Sequence, residues 1–222
     1  MQPCRGNFIT LEGGEGAGKS TQAALLCQHL RHIGMRVLLT REPGGSDFAE
    51  RVRTLILDPA TPAHSPLSEA LLFSAARADH LETVIRPALH EGIWVICDRF
   101  ADSTRAYQGA AGGLEDKTVL ALEKIVVGNT TPDLTLILDL PVKLACARVA
   151  LRVQSQDRDV KAGLDPYESR HLQFHERLRQ GFLDIAAAAS DRCIVIDGTD
   201  GVDTIARNIW DIVATRLMPE NN

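Results

Sequence analysis

The sequence predicts a three-layer α/β fold, in which a five-stranded parallel sheet lies between two layers of helices. Five short apolar runs, rich in Val, Ile and Leu, alternate along the chain with longer segments of helical periodicity. A glycine-rich segment stands between the first apolar run and the first helical segment, as a tight strand-to-helix turn requires. Because strands that alternate with helices form parallel sheets covered on both faces, we expect the 222 residues to form one domain over 1–222.

The predicted strands and helices alternate along the whole chain. The strands are Phe8–Leu11, Arg36–Thr40, Ile93–Cys97, Leu134–Leu140 and Cys193–Asp197. The helices are Lys19–Gly34, Phe48–Leu57, Pro66–Glu91, Glu115–Val127, Val142–Val153, Tyr167–Ala189 and Val202–Leu217. Ligands of such sheets bind beyond the carboxyl ends of the strands, so residues that directly follow strands are the first candidates for function.

The segment after the first predicted strand is a complete phosphate-binding loop. Its sequence, GGEGAGKS, matches the pattern G-x-x-x-x-G-K-[ST]. Such a loop points backbone N–H groups and the positive end of a helix at the phosphates of a nucleotide. Lys19 would reach the outer phosphates, and the Ser20 hydroxyl would bind Mg²⁺. The loop predicts a P-loop NTPase fold with a nucleotide site formed by Gly13, Gly14, Glu15, Gly16, Ala17, Gly18, Lys19, Ser20 and Thr21.

Two further strands end in segments that would meet this loop at the same edge of the sheet. The second strand runs into Arg41–Gly45, which reads REPGG, and the third runs into Asp98–Phe100, which reads DRF. Alone, the Pro-Gly-Gly sequence would be an ordinary turn. Beside a phosphate loop, we expect it to hold the backbone close to a second ligand.

Two aspartates are candidates for the second Mg²⁺ partner, because Asp98 and Asp139 each follow an apolar run. We favour Asp98. Arg99 follows it and would be able to bind a second phosphate, whereas Asp139 precedes Pro141 and has the position of a helix-start residue.

The composition argues against nucleic-acid and membrane partners. The formal net charge is 24 − 29 = −5, and the chain has no basic run. No segment approaches the roughly 18 apolar residues of a membrane span, and the apolar stretch near Met1 is too short for a signal peptide. The cysteines are odd in number and lack C-x-x-C spacing, which is typical of reduced thiols in a cytoplasmic protein. They are Cys4, Cys27, Cys97, Cys146 and Cys193.

The chain resembles the thymidylate kinases, which phosphorylate dTMP with ATP. Five segments in the family's order and spacing carry the resemblance and cover most of the chain. They are LEGGEGAGKST at Leu11–Thr21, TREPGG at Thr40–Gly45, LLFSAAR at Leu71–Arg77, DRFADSTRAYQG at Asp98–Gly109 and DLTLILDLPVKLACAR at Asp133–Arg148. The resemblance implies conversion of dTMP to dTDP for dTTP synthesis, ATP as the phosphoryl donor, Mg²⁺ and a homodimer.

The resemblance also implies how the acceptor phosphate and sugar are bound. Arg99 would hold the dTMP phosphate, with Arg41 or Arg53 as weaker candidates near the turn formed by Glu42 and Pro43. Glu15 would face the acceptor's sugar hydroxyl and the metal shell, and a solvent-facing Glu15 is the alternative. Tyr107 would pack where a ribose 2′-hydroxyl would otherwise fit, which would favour deoxynucleotides.

Base selection would fall to the predicted helix that carries Phe73 and Arg77. These residues are four apart and therefore share one helix face. By the resemblance, Phe73 would stack on the pyrimidine ring and Arg77 would donate to a carbonyl at its edge. The alternative is a core Phe73 and a surface salt bridge for Arg77. Further base contacts would come from Ser103, Thr104 and Gln108.

A lid over approximately residues 148–166 would bring in the last catalytic charge. Relatives with an acidic residue in the phosphate loop, as Glu15 is here, place the charge-neutralising arginine in this lid. We favour Arg152 for that role, with Arg148 and Arg158 as alternatives. The predicted catalytic set is Lys19, Arg99, Arg152 and Glu15.

Three rival functions share the phosphate loop. A regulatory GTPase needs an N-K-x-D segment, and the nearest stretch, 129–133, lacks the lysine. A motor or partitioning ATPase would bind a macromolecule, which the acidic balance disfavours. A kinase for another nucleotide would keep every phosphate feature and differ at Phe73, Arg77 and Tyr107.

Overall fold

The computed structural model describes residues 5–155, 167 and 170–218, and it confirms the predicted α/β fold. A five-stranded sheet has the strand order β2-β3-β1-β4-β5, and every neighbouring pair is parallel. The central strand, β1, leads directly into the phosphate loop. The strands are β1 Phe8–Glu12, β2 Val37–Arg41, β3 Trp94–Asp98, β4 Leu134–Asp139 and β5 Cys193–Asp197.

Helices connect the strands and cover both faces of the sheet. The described part of the chain has two π-helical stretches, of which Leu81–Ile85 joins α3 to α4 and Arg105–Ala111 continues α5. The described α-helices are α1 Lys19–His32, α2 Asp47–Leu57, α3 Pro66–His80, α4 Arg86–His90, α5 Ala101–Thr104, α6 Asp116–Val126, α7 Val142–Ser155, α8 Leu172–Ala188 and α9 Val202–Leu217.

The described residues contain each predicted strand and helix, with shifted ends, but they differ from the prediction in three places. The single helix predicted over Pro66–Glu91 contains the π-helical stretch Leu81–Ile85. The helical stretch 101–111 was not predicted, because its sequence, ADSTRAYQGAA, has small and polar residues where an apolar helical period would be needed. The helix predicted from Tyr167 begins instead at Leu172. His171, which precedes it, has an extended backbone with ψ 152°.

Side chains of the strands alternate between two hydrophobic layers. Ile9 and Leu11 of β1 pack with α1 and α9 on one face, whereas Phe8 packs with the π-helical stretch Leu81–Ile85 on the other. In β4, Leu136 joins the first face and Ile137 packs against α8. Strands buried on both faces read as continuous apolar runs, which is why they were recognisable in the sequence.

No helix within the described ranges combines the length and hydropathy that crossing a membrane would require. Four cysteines lie in those ranges, and all are free thiols. Cys27, Cys97 and Cys193 are buried in the core, and Cys146 is exposed on α7.

Candidate active site

The three segments that were expected to converge meet at one edge of the sheet. Asp98 at the end of β3 pairs in register with Leu11 of β1 and with Arg41 of β2. A cleft of about 710 Å³ opens beyond these strand ends. The predicted site residues that line it are Glu15, Gly16, Gly18, Lys19, Ser20, Thr21, Glu42, Pro43, Arg53, Phe73, Arg77, Asp98, Arg99, Ser103, Thr104, Tyr107, Gln108 and Arg152. Arg41 and Arg148 line it as well.

At two tightly packed positions the phosphate loop needs glycine, because φ is positive there and a Cβ would clash with a neighbouring carbonyl. Gly13 has φ 131°, and a Cβ there would lie 2.4 Å from the Leu138 carbonyl oxygen. Gly16 has φ 72°, and a Cβ there would lie 2.7 Å from the Ala145 carbonyl oxygen. These glycines let the loop wrap closely against β4 and α7. Since α1 begins at Lys19, the positive end of that helix lies at the cleft.

Lys19 is held inside the loop. Its side chain is largely buried, and Nζ donates a hydrogen bond to the Gly14 carbonyl oxygen at 2.7 Å. Burial, together with the positive charge of Arg99, lowers the pKa of Lys19 to about 8. A phosphate in the cleft would favour the charged ammonium and offset this effect.

Ser20 and Asp98 form a pair of oxygen ligands that fits Mg²⁺. The Ser20 hydroxyl donates to Asp98 Oδ2. The other carboxylate oxygen, Asp98 Oδ1, is buried and has no hydrogen-bond partner among the described residues. Hydroxyl and carboxylate oxygens are the ligands that Mg²⁺ prefers. Asp139 is differently placed, because Arg179 binds both of its oxygens at 2.6 and 2.7 Å.

Arg99 links the phosphate loop to the rest of the cleft. Its φ of 72° lies in the left-handed region, which a non-glycine residue rarely adopts and which is concentrated at functional sites. The guanidinium donates to the Gly13 carbonyl oxygen and to Glu15 Oε1, both at 3.0 Å, and to Ser103 Oγ at 3.3 Å. It also lies 4.9 Å from the centre of the Tyr107 ring.

Glu15 points into the site, and the solvent-facing alternative is wrong. Its side chain is 13% exposed, and Oε1 accepts hydrogen bonds from Arg99 and from the Tyr107 hydroxyl. Burial acts to raise the pKa of Glu15, but the charges of Arg99 and Lys19 and the Tyr107 hydrogen bond lower it overall. The carboxylate therefore stays ionised and positions Arg99 and Tyr107.

Arg77 is a buried, fully positioned guanidinium, so its alternative as a surface salt bridge is wrong. It is 4% exposed. Nε donates to Glu42 Oε2 at 2.7 Å, Nη1 to Thr104 Oγ1 at 3.1 Å and Nη2 to the Phe100 carbonyl oxygen at 3.0 Å. Phe73 lies four residues earlier on α3, is only partly buried and lines the same cleft.

Glu42 supports Arg77 from the turn after β2, where its peptide bond to Pro43 is cis. Its second oxygen lies 3.1 Å from His80 Nδ1, and His80 Nε2 lies 2.8 Å from Thr40 Oγ1. The Glu42 carboxylate is therefore paired on both oxygens.

The two weaker phosphate candidates differ in their surroundings. Arg53 Nη1 donates to the Pro43 carbonyl oxygen at 2.8 Å and so fastens α2 to the turn. Arg41 is 55% exposed and pairs with Glu50 at 3.1 Å. Both line the cleft.

The lid is described only up to Ser155, where α7 ends. Arg148 and Arg152 lie one turn apart on α7 and both line the cleft. Arg158, the third candidate, lies outside the described residues.

Sequence reasoning missed two buried carboxylates that bind predicted site residues, Ser103 and Gln108. Glu12 is fully buried at the end of β1, where it accepts hydrogen bonds from the Phe100 N–H at 2.7 Å and from Ser103 Oγ at 2.6 Å. Burial, with the nearby charge of Asp102, raises the pKa of Glu12 to about 8. The signal in the sequence was a glutamate that ends an otherwise apolar strand. The second, Glu69 on α3, is 8% exposed and had no signal beyond its helical spacing to Phe73.

Comparison with known proteins shows the family to which the chain is similar. The sequence profile of the family described as Thymidylate kinase matches residues 11–209. The thymidylate kinase of Caulobacter vibrioides is 49% identical over 96% of this chain and 98% of its own length. That of Bradyrhizobium diazoefficiens is 48% identical over 97% of this chain and 92% of its own length.

A solved structure shares the fold along nearly the whole chain. The crystal structure of thymidylate kinase from Ehrlichia chaffeensis superposes with a TM-score of 0.75 at 34% identity, and it covers 94% of this chain and 98% of its own. On the family profile and these relatives, the chain belongs to the thymidylate kinase family.

Proposed function

We propose that this chain carries out the reaction of its family, transfer of the γ-phosphoryl group of ATP to dTMP, with Mg²⁺ bound by Ser20 and Asp98. The main support for the proposal is that one continuous cleft joins the phosphate loop to the pocket of Phe73 and Arg77. One end of this cleft has the chemistry of a triphosphate site, and the other has an aromatic ring and a fixed donor for a base.

The chemistry at the phosphate end needs positioning and charge more than a base. An oxygen of the dTMP phosphate, already anionic near neutral pH, would form a bond to the γ-phosphorus while the bond from that phosphorus to the ADP oxygen breaks. Lys19 and the loop N–H groups would stabilise the charge on the donor phosphates. Arg99 would hold the acceptor phosphate, with Arg53 beside it. Ser20 and Asp98 would hold Mg²⁺, which would supply further positive charge for the donor phosphates.

The base end would bind the pyrimidine by stacking and hydrogen bonding. Phe73 would pack on the ring, and the N–H groups of Arg77 would donate to a base carbonyl. Ser103, Thr104 and Gln108 lie along the same wall of the cleft. Tyr107, held by Glu15, would lie under the sugar and disfavour a 2′-hydroxyl by about 10²-fold.

The lid over residues 148–166 would close over the phosphates, and Arg152 is our choice for the arginine that reaches the transferred group. Its place in the cleft wall one turn after Arg148 supports this choice. Closure would exclude water, which limits hydrolysis of ATP.

The proposal includes a homodimer in the cytoplasm. Three helices that pack side by side, α2, α3 and α6, carry large apolar side chains at the surface. These include Leu55, Leu71, Leu120 and Ile125, of which Ile125 is 79% exposed. Apolar side chains of this size on neighbouring helices are typical of a surface that a second subunit covers.

The test is release of ADP from MgATP with dTMP, dUMP, dCMP, dGMP and the ribose analogue of dTMP offered separately. The proposal predicts rapid turnover with dTMP and weaker turnover with dUMP. ATP hydrolysis that does not depend on any acceptor would instead place the chain among switch-type ATPases. Rapid turnover of another acceptor, with dTMP inactive, would assign the base pocket to a different nucleotide.

A further inference from the structure

Glu69 is a buried carboxylate on the side of α3 that faces the base pocket. Residues 69, 73 and 77 are spaced by four, so Glu69 shares a helix face with Phe73 and Arg77. It is 8% exposed. Burying a carboxylate this deeply is costly unless its oxygens are paired. The hydrogen-bond partners of Glu69 therefore indicate its role.

Each oxygen of Glu69 has its own partner. Oε1 accepts a hydrogen bond from Arg170 Nη2 at 2.8 Å, and Oε2 accepts one from Gln108 Nε2 at 3.1 Å. The Arg170 guanidinium is itself fixed, because it lies 4.6 Å from the ring centres of both Tyr167 and Phe174. His64 Nε2 lies 3.8 Å from Oε1 on the same side.

This pairing fixes the orientation of the Gln108 carboxamide. A carboxylate offers only acceptors, so the part of the amide that faces Glu69 must be the NH₂ group. Gln108 is almost completely buried and lines the cleft. The carbonyl oxygen of the amide is then the group that Gln108 presents to a ligand.

We propose that Glu69 is a positioning residue for base specificity, which holds Gln108 so that the bound base meets a hydrogen-bond acceptor. This proposal rests on the proposed function, in which Arg77 donates to a base carbonyl. A donor beside an acceptor matches the carbonyl and ring N3–H of thymine or uracil. Cytosine carries an amine and an unprotonated N3 at these places, and both would face a group of the same kind.

The substitution Glu69→Gln tests this directly, because an amide has only one oxygen. That oxygen should turn to the charged Arg170, since hydrogen bonds to ionised donors are the stronger ones. The new NH₂ group would then face Gln108, whose carboxamide would rotate and present its own NH₂ to the base. We expect the kcat/KM ratio of dTMP to dCMP to fall by at least about tenfold, mostly through KM for dTMP.

A second substitution separates this role from a loss of packing. In the double variant Glu69→Gln/Arg170→Met, no guanidinium binds the amide oxygen introduced at position 69. That oxygen can therefore turn back to Gln108 and restore the dTMP to dCMP ratio. Damage to the fold would instead become worse in the double variant. Glu82→Gln is the matched control, because Glu82 is 74% exposed and pairs only with Arg86 at the surface in the described structure.

The experiment measures turnover and calorimetric binding of dTMP and dCMP for the wild type and these variants. Turnover of dTMP by the wild type decides the proposed function. The selectivity ratio, from turnover or from binding, decides the role of Glu69. A ratio that falls in the single variant and recovers in the double variant supports the inference. An unchanged ratio, or equal losses for both nucleotides without recovery, overturns it.

Discussion

The two ends of the cleft are built in opposite ways. At the base end Arg77 and Glu42 are fully paired within the protein, since all three nitrogens of Arg77 have acceptors and both oxygens of Glu42 have partners. At the phosphate end, Glu15 Oε2 and Asp98 Oδ1 are buried without a hydrogen-bond partner in the described part of the chain. Positive and negative side chains also lie close together there, for example Lys19 and Asp98.

Because of this difference, we expect substitutions at the base end to lower stability and substitutions at the phosphate end to lower turnover. A network that is complete in the protein alone is preorganised for one ligand shape, and it contributes to folding, so damage there should lower both stability and base affinity. Groups that bound phosphates and Mg²⁺ would complete, as we propose for the phosphate end, should contribute mainly when the transition state is bound. Substitutions at the phosphate end should therefore lower turnover while the fold stays intact.

The largest effect is expected for Lys19→Met, which removes the cation that we propose for the donor phosphates. We expect kcat to fall on the order of 10²–10³-fold, as when one electrostatic donor is removed from an active site. Stability should not decrease, because burial lowers the pKa of Lys19 and its charge is therefore unfavourable in the folded protein at neutral pH. Initial rates and urea unfolding measure both quantities.

Lys117→Met is the matched control for this substitution, since Lys117 is 82% exposed. It should change neither rate nor stability. A Lys19→Met protein that unfolds more easily than the control would contradict the separation between the two ends.

Arg77→Met should have the opposite signature. It leaves Glu42 buried with one partner fewer and removes donors from Thr104 and from the Phe100 carbonyl. We expect the free energy of unfolding to fall by about 3 kcal/mol, measured by urea unfolding. Arg77→Met/Glu42→Gln should recover part of this loss, because the uncompensated charge is gone.

The control for Arg77→Met is Arg5→Met, because Arg5 is 48% exposed and its pair with Asp133 is a surface ion pair. That substitution should lower stability by less than about 1 kcal/mol. If Arg77→Met and Arg5→Met lower the free energy of unfolding equally, the buried hydrogen bonds of Arg77 do not stabilise the fold more than a surface ion pair does.

The fold was predictable from the sequence because its signals are local. The three inner strands, β1, β3 and β4, are buried on both faces and read as apolar runs, and the edge strands β2 and β5 are apolar on the face that they bury. The phosphate loop was predictable for the same reason, since its glycines and Lys19 are adjacent in the chain. The helical stretch 101–111 has no such period, and α8, which packs against it, is distant in the sequence.

The supports of the base pocket were not predictable, because they depend on contacts between distant segments. His80 and Glu42 are 38 residues apart, and Glu69 and Arg170 are 101 apart. Nothing local distinguishes such residues from surface helix charges. Glu12 could have been found from its place at the end of an apolar strand, where an ionisable group needs partners.

Arg152→Ala tests which arginine completes the phosphate end. Turnover should fall at least about tenfold with little change in dTMP binding, because the guanidinium would act on the transferred phosphoryl group. Steady-state rates give the first quantity and calorimetry the second. Near-normal turnover would move the role to Arg148 or Arg158, and Arg148→Ala made in parallel would choose between them.

Glu12 should make the stability of the protein depend on pH, because its carboxyl is buried at the end of β1. Burial raises its pKa from the ordinary value to about 8, so the folded protein binds this proton more tightly than the unfolded chain. Its contribution to stability is therefore present at low pH and is lost as pH rises from about 4.5 to 8. The slope for one proton is at most about 1.4 kcal/mol per pH unit.

Urea unfolding at several pH values, compared between the wild type and Glu12→Gln, isolates this contribution. Stability of the wild type should fall more steeply with pH than that of the variant in this window. Parallel curves would show that the Glu12 carboxyl is already ionised and that its hydrogen bonds with Phe100 and Ser103 outweigh burial.

The smallest effect is expected for Arg41→Ala, although Arg41 lines the cleft. Arg41 is 55% exposed and Glu50 is 44% exposed, so water and salt screen their ion pair, and its loss should lower stability by less than about 1 kcal/mol. Glu50 keeps a second contact, because its Oε1 also accepts the Gly45 N–H at 3.0 Å. The turn after β2 should therefore stay in place, with Arg53 still bonded to the Pro43 carbonyl.

KM for dTMP should change by less than a factor of about two in Arg41→Ala, whereas Arg53→Ala should raise it more. A tenfold rise in KM for Arg41→Ala would instead make Arg41 an acceptor-phosphate ligand and would extend the incomplete, ligand-dependent end of the cleft as far as β2.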